Sequence, residues 1–101
     1  MKVATAVSKN EFERGILFCG TSLGMSIAAN KVPGIRATLC YDIETARLSR
    51  EHNDANVLTL GARLIDLKEA KEIINVWLNT NFLGERHSIR LEKIKEIERS
   101  F

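Results

Sequence analysis

Three short and almost uninterrupted apolar runs, at residues 15–19, 35–41 and 56–60, alternate with segments of helical patterning. That alternation narrows the fold more than any other feature. Runs this short cannot make helices and, bounded by turn chemistry, they read as strands. Strands apolar on both faces belong to parallel sheets covered by helices on each side, so the alternation predicts a three-layer α/β fold.

The segments between the runs fit this reading. Gly20-Thr21-Ser22-Leu23-Gly24 interrupts the first run, and residues 25–31 resume with good helix formers. Val32-Pro33-Gly34 supplies a turn. Asp42 is placed to cap a helix running to about Glu51, because its carboxylate can accept the orphan N–H groups of a first turn. Gly61 ends the third strand. Leu67, Ala70, Ile73, Ile74, Trp77 and Leu78 recur at three- and four-residue spacing, one apolar stripe of a helix over 67–78. Ile89, Leu91, Ile94 and Ile97 predict a second stripe over 86–100, with Glu92, Glu96 and the lysines facing water. Residues 2–9 read as the tail of a helix without a start signal, so the chain reads as beginning in the middle of a fold.

Composition excludes several function classes. At 101 residues the chain holds one domain, and 45% apolar with 28% charged residues is ordinary for a folded protein. Fifteen Lys and Arg against thirteen Asp and Glu are scattered without a basic stripe, which argues against nucleic-acid binding. No apolar run approaches the ~20 residues of a membrane span, and residues 1–15 are too polar for a signal peptide. Cys19 and Cys40 lack metal-ligand spacing and read as free thiols, hence a reducing, cytoplasmic setting.

Two places carry candidate chemistry. The first is the strand–loop–helix passage from Ile16 to Ser26, where loop N–H groups backed by a helix N-terminus suit an anion or a developing oxyanion. Cys19 falls at the C-terminal end of its strand, where open α/β sheets place ligands. A helix N-terminus stabilises a thiolate, so Cys19 suits a base or nucleophile; a small buried core thiol is the equal alternative. The second is Arg86-His87-Ser88-Ile89-Arg90, which sets two guanidiniums one helical turn apart in a geometry that matches phosphate oxygens. A solvated basic helix start is its plainer reading. His52-Asn53 follows the predicted second helix and reads as a polar cap or a catalytic pair. Cys40 and Trp77 read as core.

Taken together, Gly15 to Lys31 with Gly34-Ile35-Arg36-Ala37, then Leu48 to Asn56, then Gly84 to Arg90, resemble the sugar-phosphate isomerase family of ribose-5-phosphate isomerase B and the galactose-6-phosphate and allose-6-phosphate isomerases. The likeness covers essentially the whole chain in three ordered motifs. The ribose-5-phosphate type fits best, because Cys19 occupies the position of that type's catalytic cysteine. The resemblance implies a Rossmann-like α/β/α parallel sheet lacking the family's first two strands, hence an N-terminally truncated single domain over 1–101. It also implies aldose–ketose isomerisation through an enediolate with no metal or organic cofactor.

Carried over by residue, Cys19 would move the proton between C1 and C2. Backbone N–H groups from Gly20, Ser22, Leu23 and Gly24 would hold the enediolate oxygen, with Thr21 beside them. His52 would assist ring opening, Asn53 would bind sugar hydroxyls, and Arg86, His87 and Arg90 would take the phosphate. The family's sites lie between subunits, so a homodimer or tetramer with shared sites is expected. Ser22 replaces the family's middle loop glycine, and Glu85 replaces the second glycine of a Gly-Gly pair, the lesser change. The family's N-terminal Asp-His motif has no counterpart here. A non-catalytic remnant or anion-binding module keeping these motifs is the second reading, and a bared sheet edge would make such a chain self-associate.

Overall fold

Every residue from Val57 to Gly61 is buried, and this strand organises the rest. In the computed structural model, which describes residues 1–101, strands β1 (Gly15–Cys19), β2 (Ala37–Leu39) and β3 (Val57–Gly61) form one parallel sheet in the order β1-β3-β2. Gly15 and Ala37 both lie opposite Val57, and Cys19 lies opposite Gly61. Five helices surround the sheet: α1 (Lys2–Ser8), α2 (Leu23–Asn30), α3 (Ile43–Asn53), α4 (Leu67–Leu78) and α5 (Arg86–Arg99).

Alternate residues of β3 feed two separate cores. Leu58 and Leu60 pack with Ala46 of α3 and with Ile73 and Trp77 of α4. Val57 packs on the opposite face with Ala4 and Val7 of α1 and Ala29 of α2. Each fully buried large aliphatic side chain contributes about 2 kcal/mol of transfer free energy, which offsets the entropy of ordering a short sheet. The expected three-layer α/β arrangement is the one observed. Asp42 caps α3 as expected: its carboxylate accepts the Thr45 N–H at 2.7 Å, while Thr45 Oγ1 accepts the Asp42 N–H at 3.3 Å. Asp66 and Glu69 make the same reciprocal box at the start of α4.

Four expectations are corrected. The strand expected over 35–41 pairs only at Ala37–Leu39. The Arg36 N–H before it is taken by the Asn56 side chain, and Asn30 both donates to and accepts from the Ala37 backbone, occupying the outer edge of β2. Helix α2 begins at Leu23, so Leu23 and Gly24 form its first turn rather than a loop. His52 and Asn53 lie within the last turn of α3 rather than after it. On α5 only His87 and Leu91 are buried; Ile89 and Ile97 are 64% and 62% exposed, because no element of this chain covers that stripe. At the other side of the molecule β1 pairs with β3 alone, leaving Phe18 and Cys19 exposed. No helix is long and apolar enough to cross a membrane.

Candidate active site in two halves

The first half is built where β1 ends. Cys19 presents an exposed thiol, and the chain turns through Gly20, Thr21 and Ser22 into α2. Ser22 makes the turn with φ 60° and ψ 11°, a left-handed conformation that costs a serine on the order of 1 kcal/mol. Its buried hydroxyl donates to the Leu60 carbonyl and pins the loop to β3. Its carbonyl accepts both the backbone N–H and the hydroxyl of Ser26.

Gly61 permits this closeness, since a Cβ there would stand 2.9 Å from the Thr21 carbonyl oxygen. The N–H groups of Gly20, Thr21, Ser22, Gly24 and Met25 donate to no protein acceptor, and that of Leu23 reaches Thr21 Oγ1 at 3.4 Å. A crescent of open donors at a helix N-terminus, next to a thiol, is suited to an oxyanion that forms beside a base.

A cation that sequence reasoning passed over stands at the same end. Arg63 is exposed, forms no ion pair, and has its Nε 3.6 Å from where a Gly20 Cβ would sit. Its position just past the C-terminal end of the central strand was the available signal.

The second half is built from α3 and α5. The imidazoles of His52 and His87 stack with centroids 4.1 Å apart and planes 13° from parallel. His87 is buried, its Nδ1 has no hydrogen-bond partner, and its pKa is held below the ordinary histidine value. Burial is the largest cause, followed by the neighbouring His52, Arg86 and Arg90. Arg86 and Arg90 are exposed and unpaired on the same helix. Asn53 lines a cleft of about 720 Å³ shared with Asn30, Arg36, Ile94 and Ile97. Glu85 precedes α5 with φ 52° and ψ −127°, backbone that glycine adopts freely and other residues do not. The expectation that Glu85 is the lesser departure is therefore corrected.

These halves lie at opposite ends of the sheet. Helix α3 runs back from the end of β2 to the start of β3, so its last residues meet the segment before β2, where Arg36 Nε donates to the Asp54 carbonyl at 2.9 Å. Cys19 is at the far end, opposite Gly61, four steps or about 13 Å along the strand. The structure brings Cys19 together with Gly20, Thr21 and Ser22, and brings His52 together with His87. It does not bring the two groups together within one chain.

A ribose/galactose isomerase family model matches residues 1–94. The chain is 50% identical to ribose-5-phosphate isomerase B of Escherichia coli over 97 residues, which are 96% of this chain and 65% of that protein. It is similar in structure to ribose-5-phosphate isomerase B of Clostridium thermocellum, with a TM-score of 0.96 and 56% identity over 98% of this chain and 67% of that one. It is also similar to the Mycoplasma genitalium enzyme with bound ribulose-5-phosphate, with a TM-score of 0.94 and 42% identity over 99% of this chain and 66% of that one. The chain spans 64% to 65% of the length of the first two curated relatives that it matches.

Proposed function

The chain belongs to the ribose/galactose isomerase family, and from that premise we propose that it interconverts an aldose phosphate and its ketose, most simply ribose 5-phosphate and ribulose 5-phosphate. The Cys19 thiolate takes the C2 proton of the open-chain aldose. The C2 electrons form a C1–C2 double bond and charge moves to O1, which the open N–H groups from Gly20 to Gly24 stabilise, with Thr21 beside them. The thiol returns its proton to C1 while the O2 proton passes to the O1 oxyanion, leaving a ketone at C2 and a hydroxyl on C1. His52 assists ring opening, Asn53 binds sugar hydroxyls, and Arg86, His87 and Arg90 hold the phosphate.

The observation that carries this reading is the exposed Cys19 thiol beside the crescent of unpartnered N–H groups held by Ser22 and Gly61. The separation of the halves supports a homodimer or larger assembly in which the loop of one copy faces the His52 and Arg86 end of another. The exposed edge of β1 and the uncovered Ile89 and Ile97 give such an assembly apolar surface to bury.

The test is isomerisation of ribose 5-phosphate in deuterated water followed by NMR. Deuterium entering at C1 of ribulose 5-phosphate and, by reversal, at C2 of ribose 5-phosphate with the wild-type chain, and not with Cys19→Ala, is the expected result. No exchange from a folded sample overturns the reading and leaves an anion-binding remnant of the family.

A further inference from the structure

Three arginines from three separate segments meet at one small cleft far from Cys19 and beside the His52 end of the molecule, sharing only Arg36 with the cleft that Asn53 lines. Arg14 precedes β1, Arg36 precedes β2 and Arg50 lies on α3. With Asn10, Asp54 and Asn56 they line a cavity of about 350 Å³. Only two carboxylates are near. Asp54 is shared, its oxygens lying 2.9 Å from Arg50 Nη1 and 3.5 Å from Arg36 Nη2, and Glu13 is exposed at the rim.

The guanidiniums are held but not saturated. Arg50 is 5% exposed and spends Nε on the Thr80 carbonyl and Nη1 on Asp54 and the Ala55 carbonyl, leaving Nη2 without a protein acceptor. Arg36 spends Nε and Nη2 on Asp54, leaving Nη1. Arg14 spends Nη1 on the Trp77 and Leu78 carbonyls at the end of α4, and its Nη2 lies 3.5 Å from the Thr80 carbonyl. The charge is under-compensated: burial, then the Arg50 cation, lower the Arg14 pKa against the opposing pull of Asp54 and Glu13.

We propose that this cleft is a second anion site, taking a phosphate dianion either free or as the headgroup of a small metabolite. Pre-placed guanidinium forks with unspent N–H groups match phosphate oxygens, and burial on one side strengthens each charge-assisted bond. The volume falls in the range of small-ligand pockets, large enough for more than the bare ion. The site stands independently of the isomerase reading, because none of its residues belongs to the loop or to the α5 clamp.

Trp77, the single tryptophan, reports on it directly, lying 5.5 Å from the Arg14 guanidinium and 5.9 Å from that of Arg50. The experiment uses the full chain carrying Arg86→Gln and Arg90→Gln, so that the clamp on α5 is silent. Trp77 emission and the Arg50 Nε–Hε NMR signal are followed against inorganic phosphate in one arm and ribose 5-phosphate in another, with chloride at matched ionic strength as the blank. A saturable response is expected. It weakens at least about tenfold on adding Arg14→Gln, the loss of one charge-assisted contact, and tightens about twofold on adding Glu13→Gln. Tighter binding of the sugar phosphate identifies a metabolite headgroup as the occupant, and equal binding identifies the free ion. No saturable response in either arm, or one indifferent to both substitutions, overturns the site. Glu13 is exposed, so its variant decides the matter even where Arg14→Gln unfolds.

Discussion

His52 and His87, thirty-five positions apart in sequence, lie face to face at 4.1 Å and so lock the last turn of α3 to the first turn of α5. Because His87 is desolvated and flanked by His52, Arg86 and Arg90, its folded pKa lies below the unfolded value of about 6.5. In that window the unfolded chain binds more protons than the folded one, so the stability that His87 contributes is complete above about pH 6.5 and is lost as pH falls through the folded pKa. Tm is expected to drop more between about pH 7.5 and 5.5 in the wild type than in His87→Phe. Phenylalanine keeps the stacked ring and sacrifices no bond at the unpartnered Nδ1. Equal slopes for the two proteins would refute the assignment.

Ser22 and Glu85 both stand at positive φ, and they respond differently to glycine. At Ser22, glycine relieves about 1 kcal/mol of strain but forfeits the buried bond to the Leu60 carbonyl, which is worth about as much. Ser22→Gly is expected to stay near wild-type stability, while Ser22→Ala keeps the strain, loses the bond and falls about 1 kcal/mol below it. Glu85 is exposed and makes no side-chain cap bond, so Glu85→Gly gains about 1 kcal/mol. Urea unfolding of the three variants decides this, and a destabilised Glu85→Gly would show that the turn is not strained.

Gly61 couples the central strand to the loop. A methyl group there meets the Thr21 carbonyl oxygen and Leu64 Cδ1, each at 2.9 Å, and one of those contacts is rigid backbone. Gly61→Ala is expected to cost about 1–3 kcal/mol and to displace the donors beside Cys19. Proton exchange at the sugar C2 is then expected to fall at least about tenfold, the cost of misplacing one oxyanion donor, with phosphate binding at Arg86 and Arg90 unchanged. Wild-type exchange by this variant would mean that the loop tolerates the shift.

The parts of this architecture readable from sequence are those set by local chemistry. Asp42 announces α3 because a capping carboxylate is a short-range device, and the bounds of β1 and α4 follow from runs and periodicity. The order β1-β3-β2 was not readable, because parallel strands are brought together by crossovers and not by a turn. The stripe on α5 is legible in the sequence, but a pattern shows that a face is apolar and not what covers it; here Ile89 and Ile97 remain in solvent. Cys19, His52 and Arg86 stand out by position and residue type, and their particular roles, with that of Thr21, are what the family resemblance implies. The distance between Cys19 and His52, and the place of Arg63 beside Gly20, needed the fold.

That separation yields the sharpest test of the shared-site reading. Where each site takes its loop from one copy and its clamp from another, Cys19→Ala and His52→Ala damage different halves of every site. Each variant alone is expected to be inactive. Mixed in equal amounts and allowed to exchange, half of the dimers pair one variant with the other. Each such dimer holds one site with both lesions and one with neither, so the mixture recovers about a quarter of wild-type activity. Sedimentation must show dimers or larger species in the same samples. If the chain instead closed its site within one copy, both lesions would stay in their own subunits and mixing would restore nothing. Because Cys19 and His52 stand at opposite ends of a sheet whose strands no single side chain can span, recovery is the expected outcome.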